Sequence, residues 1–213
     1  FAPGGDFVVK EEPYQTKLFK KIHKVYLWDE EFCTCTSSPT SNVLPPYAMI
    51  VKFSNRQLYS CQFKELAELF MYRCGLEYIS ITRIDLALDF QNFRNNLHPL
   101  NLIKGFVFDR YLKNGRGKFT IHGEQKFTNE FQTLRFGTKT SPVNVYLYNK
   151  SIELRQVQDK PYIRARWDEL GAVPGVDVWR LEISIKAEGT GFVNLNTGEY
   201  DKVSIYTVFE SDI

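Results

Sequence analysis

The sequence predicts an α+β fold in which helices pack on one face of a central, mostly antiparallel β-sheet. Three observations predict it: extended runs separated by turn residues, two stretches whose apolar residues recur at helical spacing, and an order of strand, helix, strand, helix and then several strands. The 213 residues are 43% hydrophobic and 24% charged, an ordinary composition for a globular protein. This length fits one large domain or two small fused halves.

Residues 1–46 read as an N-terminal extension that is partly loop. Residues 17–32 mix cations with apolar residues and fit either a strand or a helix. The Ser/Thr/Pro-rich stretch from Thr34 to Pro46 predicts a loop, because its prolines are incompatible with a helix. Residues 47–213 form the main domain, which opens with a strand before the turn-prone pair Ser54-Asn55.

Two helices are expected on either side of the clearest strand. Residues 62–74 carry apolar side chains at helical spacing, and Gly75 stands where a C-terminal cap belongs. Residues 78–90 form the strand, and residues 100–112 predict the second helix.

Three extended runs in the second half of the chain predict an antiparallel meander. They cover residues 118–123, 131–137 and 143–150. Residues 151–171 are helical or irregular, and residues 178–186 form a last strong strand.

The charge balance is too mild to identify a class of partner. A formal net charge of +2 is common to many enzymes of small acidic metabolites and to nucleic-acid-binding proteins. Local clusters of cations are more informative than the net charge. The cationic, glycine-containing loop 113–118 suits phosphate contact, and it also fits an ordinary solvated turn. The clusters are Lys17, Lys20, Lys21 and Lys24; Arg110, Lys113, Arg116 and Lys118; and Arg155, Arg164 and Arg166.

The cysteines and histidines do not predict a zinc site. The four cysteines lack paired CxxC spacing, and the three histidines do not complete a ligand set, so we expect reduced thiols. No run of about 18 apolar residues predicts a membrane span, and we expect a cytoplasmic protein without a membrane partner. The chain begins at Phe1 without a methionine, and we expect a domain trimmed from a longer protein and truncated at its C-terminus.

Three strands combine an apolar face with a polar one, because alternate residues of a strand share a face. The polar sets are Arg83, Asp85, Ala87 and Asp89; Asn144, Tyr146, Tyr148 and Lys150; and Arg180, Glu182, Ser184 and Lys186. If the strands are neighbours, these faces merge into one surface. An ordinary solvated face also explains the pattern, since cross-strand ion pairs are routine and contribute only tenths of a kcal/mol.

The same residue types can carry out chemistry. Carboxylates beside a tyrosine and a lysine can hold Mg²⁺ or Mn²⁺, place a phosphodiester on the metal and direct a phenol oxygen at phosphorus. A free phenol has a pKa of about 10, so it needs a metal or an ammonium group to become a nucleophile. Asp85 and Asp89 lie about 13 Å apart on a regular strand, so they cannot both bind one ion directly unless the strand is bulged.

Four segments of the chain follow the order and rough spacing of motifs in the Rep_trans family, which the sequence resembles. The segments are TRIDLALDF (82–90), LRFGTKTS (134–141), VYLYNKSIE (145–153) and WRLEISIK (179–186). Residues 49–58 and the helix after them also look like the part of the family that precedes the first motif. The family comprises plasmid rolling-circle replication initiators and related relaxases of integrative elements, and the resemblance covers about residues 47–190.

The resemblance implies a sequence-directed DNA nickase. Such an enzyme attacks a phosphodiester with a tyrosine and leaves a 5′-phosphotyrosine and a free 3′-hydroxyl. The family's nucleophile falls on Tyr148, with Lys150 as its phosphate-binding neighbour. The family often has a basic residue where this chain has Tyr146, so Tyr146 stays a second candidate for the nucleophile.

The resemblance also implies a metal and several partners. The family's acidic cluster falls on Asp85, Asp89 and Glu182, which implies a site for Mg²⁺ or Mn²⁺. Asp85 and Glu182 are the expected ligands, and Asp89 is expected as a third ligand or as support behind them. The implied partners are DNA, single-stranded at the cleavage point, a host helicase and a second copy of the chain. DNA contacts are expected from Arg83, Lys113, Arg116, Lys118, Lys139, Arg180 and Lys186.

Two other functions fit the sequence. A non-catalytic relative would keep the fold to bind DNA in a sequence-specific way and would form no covalent adduct. A fold with a solvated charged face would have no role with nucleic acid and would not gather Asp85, Tyr148 and Glu182. The joint presence of acid, tyrosine and lysine favours the nickase.

Overall fold

The computed structural model describes residues 6–111, 119–124, 130–138, 140–187, 192–193 and 200–201. The chain divides into two compact units, Phe1–Tyr78 and Ile79–Ile213, which we call the first and second units. Two fused halves were one of the two arrangements that the length allowed. The start of a nickase domain at residue 47 stays a prediction.

The first unit is a four-stranded antiparallel sheet with two helices after it. The strands lie in the order β1-β2-β3-β4. A two-residue turn joins β2 to β3, and both of its residues, Trp28 and Asp29, have the positive φ that suits the twist of a tight hairpin. The elements are β1 (Val8–Glu11), β2 (Phe19–Leu27), β3 (Glu30–Pro39), β4 (Met49–Phe53), α1 (Asn55–Leu58) and α2 (Phe63–Arg73).

The core of the first unit lies between the sheet and helix α2. Phe32 and Cys33 from β3 are fully buried and pack with Leu66 and Phe70 from α2. The predicted helix 62–74 is confirmed within one residue at each end. Gly75 follows it with φ of 60°, the left-handed conformation typical of a helix C-terminus.

Part of the stretch predicted to be a loop is strand. Strand β3 continues to Pro39 and pairs with β2 on one side and with β4 on the other. The prolines argued only against a helix, whereas Thr34 and Thr36 are β-branched and Cys35 is buried in the core. The loop prediction was therefore wrong for residues 34–39. Most of the ambiguous residues 17–32 lie in β2, the turn after it and the start of β3.

The second unit is built on a five-stranded sheet in the order β5-β9-β8-β7-β6, antiparallel throughout. The predicted meander is confirmed, since β6, β7 and β8 are consecutive neighbours. The elements are β5 (Arg83–Phe90), α3 (Pro99–Val107), β6 (Phe119–Glu124), β7 (Glu130–Phe136), β8 (Val143–Asn149), α4 (Lys150–Gln156), α5 (Pro161–Glu169), β9 (Trp179–Lys186), β10 (Phe192–Val193) and β11 (Tyr200–Asp201). Strands β10 and β11 form a separate antiparallel pair.

Helix α3 covers the apolar face of this sheet. Ile103 is fully buried and packs with Leu134, Leu147 and Trp179 from three adjacent strands. His98 begins the helix, because its Nδ1 accepts a hydrogen bond from the backbone N–H of Leu100 at 3.2 Å. The apolar sets of β8 and β9 thus face the core, and their polar sets are left on the opposite face. The α+β fold class is confirmed.

Within the described residues, no helix is long and apolar enough to cross a membrane.

Candidate active site

Strands β5, β9 and β8 lie side by side, so their polar faces merge into one surface. We call this merged face the polar surface. Residues that are opposite each other on adjacent strands place its side chains in three rows. The rows are Asp89, Arg180 and Tyr148; Ala87, Glu182 and Tyr146; and Asp85, Ser184 and Asn144. The sheet therefore gathers the candidate nucleophiles and all three candidate metal ligands on one side.

The Tyr148 hydroxyl lies between a carboxylate and an ammonium group. Tyr148 Oη donates a hydrogen bond to Glu182 Oε2 at 3.2 Å. Lys150 Nζ donates to the same Oη at 3.5 Å. A phenol with a proton acceptor on one side and a cation on the other has the neighbours that activation as a nucleophile requires.

Lys150 reaches Tyr148 from a helix rather than from the strand. Strand β8 ends at Asn149, whose side-chain Oδ1 accepts a hydrogen bond from Ile152 N at 2.9 Å and so begins helix α4. The prediction that residues 143–150 form one strand was wrong at its last residue. Lys150 is 3% exposed, and Glu153 Oε2 binds its Nζ at 2.6 Å.

Burial dominates the electrostatics of both groups. The pKa of Tyr148 is raised, first by burial and then by the negative charge of Glu182, while the Arg180 guanidinium lowers it in part. The pKa of Lys150 is lowered by burial, an effect that its hydrogen bond with Glu153 partly offsets. In the folded protein, Tyr148 is thus a neutral phenol that needs a proton acceptor before it can attack.

Tyr146 has a different environment. The Arg135 guanidinium lies over its ring, 4.8 Å from the centroid, and Arg135 Nε also donates to Asn144 Oδ1 at 2.9 Å. The ring contacts Tyr148 edge-on, with centroids 6.2 Å apart and planes at 87°. No hydrogen bond reaches Tyr146 Oη from the described part of the chain. Tyr146 therefore packs against Tyr148 and lines one side of the site.

Asp89 is engaged by two side chains. Arg180 binds it through both oxygens, with Nε to Oδ1 at 2.6 Å and Nη2 to Oδ2 at 2.7 Å. Trp167 of helix α5 donates from Nε1 to Oδ2 at 2.8 Å. Trp167 was not among the residues predicted from the sequence. Its one signal was a tryptophan within a stretch that is otherwise mostly polar and charged, which says nothing about the strand that the indole contacts.

The two expected metal ligands, Asp85 and Glu182, lie on neighbouring strands of the sheet. Asp85 lies opposite Ser184, and Glu182 lies two residues before Ser184 on the same strand, so the two carboxylates are diagonal neighbours on one face. Ser184 Oγ, on the same face, is buried and has no hydrogen-bond partner among the described residues. These are oxygen donors of the kind that Mg²⁺ and Mn²⁺ prefer, and Mg²⁺ is commonly held by only two carboxylates together with substrate phosphates. No group of three histidine, cysteine or acidic side chains placed to hold a metal occurs in the described ranges.

The candidate DNA-binding cations are spread along β5 and β9. Arg83 and Lys186 are opposite each other at one end of the strand pair, and Arg83 Nε binds Asp85 Oδ1 at 2.8 Å. Arg180 is buried at the other end. The remaining four, Lys113, Arg116, Lys118 and Lys139, lie outside the described residues.

One of the solved structures similar to this chain is the rolling circle replication initiator protein from Geobacillus stearothermophilus. The likeness covers 84% of this chain at 18% sequence identity, with a TM-score of 0.46. The chain corresponds to 60% of the length of that protein. No protein family and no curated protein matches the sequence.

Proposed function

We propose that the chain is a DNA nickase that initiates rolling-circle replication or the transfer of a mobile element, with Tyr148 as its nucleophile. The observation that carries the proposal is the placement of Tyr148 Oη, 3.2 Å from Glu182 Oε2 and 3.5 Å from Lys150 Nζ. The resemblance of four ordered segments to the Rep_trans family supports the same assignment. An ordinary solvated face would not bury Lys150 beside a phenol.

The chemistry follows from these three side chains. Glu182 Oε2 accepts the phenol proton as Tyr148 Oη attacks the phosphorus of a phosphodiester in single-stranded DNA. A new bond forms between Tyr148 Oη and phosphorus, the bond from phosphorus to the 3′ oxygen breaks, and that oxygen leaves with the electron pair and takes a proton from water. Lys150 stabilises the phenolate and the charge that develops on the phosphate oxygens. The products are a 5′-phosphotyrosine and a free 3′-hydroxyl.

Asp85 and Glu182 would hold Mg²⁺ or Mn²⁺, and such an ion would supply positive charge to the phosphate. Glu182 has two oxygens, so the one that accepts from Tyr148 leaves the other for the metal. Ser184 Oγ, buried and without a partner in the described part of the chain, would face the same ion.

The contacts of the two tyrosines favour Tyr148 over Tyr146 as the nucleophile. Both lie on the same face of β8, but only the Tyr148 hydroxyl has an acid and an ammonium group within hydrogen-bond distance among the described side chains. Tyr146 is held between Arg135 and the Tyr148 ring. We assign it to the wall of the site.

A second candidate is a DNA-binding relative that does not cleave. The raised pKa of Tyr148 favours it, because a buried phenol paired with a carboxylate is a poor nucleophile until its proton is removed. This candidate predicts sequence-specific binding that survives Tyr148→Phe and no adduct under any condition.

The deciding experiment is a covalent-adduct assay with Mn²⁺ and supercoiled or single-stranded DNA that carries the chain's own gene and its flanks. Wild type, Tyr148→Phe and Tyr146→Phe are compared on denaturing gels, and the labelled peptide is identified by mass spectrometry. An adduct that only Tyr148→Phe abolishes supports the proposal. An adduct lost only in Tyr146→Phe moves the nucleophile, and tight binding without an adduct supports the second candidate.

A further inference from the structure

Asp89, Arg180 and Trp167 form a hydrogen-bonded cluster that joins three elements of the second unit. Asp89 comes from β5, Arg180 from β9 and Trp167 from α5. The three contacts, at 2.6, 2.7 and 2.8 Å, are all short. The Arg180 side chain is 7% exposed, so the charge pair is largely removed from water.

The contacts leave little room for Asp89 to bind a metal. Asp89 Oδ1 accepts from Arg180 Nε, and Oδ2 accepts from both Arg180 Nη2 and Trp167 Nε1. Ligation of a cation would displace at least one of these donors. It would also leave a buried guanidinium beside the new positive charge, which is costly.

Arg180 lies beside Tyr148 on the adjacent strand of the sheet. The two residues are direct partners in the β8–β9 register, and their side chains share the polar face. Arg180 therefore places a positive charge on the face that carries the Tyr148 hydroxyl, besides that of Lys150. A small displacement of the guanidinium would therefore change the charge environment of the phenol.

Helix α5 is attached to the sheet close to the cluster. Gln91, just after β5, donates from Nε2 to the carbonyl oxygens of Val173 and Val176 and accepts from Val173 N, each at 2.9 Å. These residues follow α5 in the chain. The segment that carries Trp167 is thus bound to the end of the strand that carries Asp89.

We propose that Asp89 and Trp167 are positioning residues that hold the Arg180 guanidinium beside Tyr148, and that Asp89 is not a ligand of the metal. The catalytic meaning of this inference rests on the proposed function, whereas the cluster itself is tested without DNA. Trp167 brings α5 into the site, a role that no sequence motif indicates. The cluster thereby fixes a second positive charge near the nucleophile, in addition to that of Lys150.

The test measures hydrogen exchange by NMR on the chain without DNA. Spectra of ¹⁵N-labelled protein report the Arg180 Nε–H and the Trp167 indole N–H, and ¹³C labelling reports the Tyr148 ring. We expect both N–H groups to exchange slowly in the wild type. Trp167→Phe, which keeps an aromatic ring and removes the donor, should accelerate exchange of the Arg180 Nε–H at least tenfold and shift the Tyr148 ring signals.

A matched control is Trp28→Phe, because Trp28 is exposed and lies in the first unit. It should leave the Arg180 and Tyr148 signals unchanged. Asp89→Asn is the stronger variant, and should accelerate exchange at both Arg180 and Trp167; if it does not fold, Trp167→Phe still decides. Unchanged Arg180 exchange in Trp167→Phe overturns the inference. Faster exchange of the Trp167 indole on addition of millimolar Mg²⁺ also overturns it, since a metal on Asp89 would release the indole.

Nicking assays separate this inference from the proposed function. If wild type forms the Tyr148 adduct, Trp167→Phe should lower kcat about tenfold, with KM for DNA and the Mn²⁺ requirement unchanged. A raised Mn²⁺ requirement in Asp89→Asn would make Asp89 a ligand and overturn the inference. If wild type forms no adduct, the proposed function fails, and the NMR result stands as the test of the cluster.

Discussion

Tyr148 and Lys150 are two positions apart in the chain, yet Tyr148 Oη and Lys150 Nζ are 3.5 Å apart. On a continuous strand, the Cα atoms of residues two apart are about 6.8 Å apart, and their side chains leave the same face roughly in parallel. Here the strand ends between them, and the first turn of α4 directs the lysine back toward the phenol. The helix that begins at Lys150, rather than the alternation of side chains along a strand, therefore determines where the ammonium group lies.

The ion pair of Lys150 with Glu153 should contribute more to stability than a similar pair on the surface. Glu153→Ala leaves the ammonium, with a side chain 4% exposed, without its carboxylate, and we expect a loss of about 1–3 kcal/mol in the free energy of unfolding. Glu169→Ala is the matched control, since Arg166 and Glu169 have the same i,i+3 spacing but are more than half exposed. It should cost at most about 0.5 kcal/mol by urea denaturation. Equal costs would contradict the burial argument.

Asp89 and Asp85, which both lie on β5, allow a second comparison between a buried and an exposed ion pair. Asp89→Ala removes the carboxylate that binds a buried guanidinium and should cost about 3–5 kcal/mol. Asp85→Ala breaks the exposed pair with Arg83 and should cost less than about 1 kcal/mol. Thermal and urea unfolding of the two variants measure the difference. A similar loss for both would mean that the Arg180 pair is not protected from water.

The sequence predicted the polar surface because strand alternation needs no knowledge of distant contacts. Asp85, Tyr148 and Glu182 could be assigned to polar faces from period two alone, and their adjacency followed once β5, β9 and β8 were neighbours. The fold class and the meander were predictable for the same reason. Each depends on local pattern.

Other features depend on contacts between elements distant in the chain. The bond between Trp167 and Asp89 joins residues 78 positions apart, and no local pattern encodes it. The end of β8 was missed because Asn149 reads as a strand residue until its capping bond to Ile152 is known. Strand β3 was missed at residues 34–39 because Ser and Pro favour loops, whereas pairing on both sides of the strand overrides that preference.

Tyr148 should make the protein less stable at alkaline pH. Its folded pKa is raised above the ordinary value of 10.0, so above that pH the unfolded chain loses the phenol proton while the folded chain keeps it. Stability from this group is fully present below the unfolded pKa and falls as pH rises toward the folded pKa, with a slope of at most about 1.4 kcal/mol per pH unit. Tyr148→Phe removes this slope. Denaturation between about pH 9 and 11 should therefore show a shallower decline in the variant, and Tyr72→Phe, at an exposed tyrosine, should retain the wild-type decline.

Gly137, at the end of β7, should be required for the turn that aligns β7 with β8. Its φ is 87°, and a Cβ added there would lie 2.9 Å from the carbonyl oxygen of Val143, the first residue of β8. Gly137→Ala therefore combines left-handed backbone strain with a backbone clash, and we expect a cost of about 2–4 kcal/mol.

Gly171 is the matched control for this substitution. It also has a positive φ, of 77°, but an added Cβ would meet no atom of the described residues within 4 Å. Gly171→Ala should cost about 1 kcal/mol, from backbone strain alone. Because β7 pairs Thr133 with Tyr148, Gly137→Ala should also change the amide chemical shifts of both residues, whereas Gly171→Ala should not. Equal costs and unchanged Tyr148 shifts would show that the turn does not fix the register of the strand that carries Tyr148.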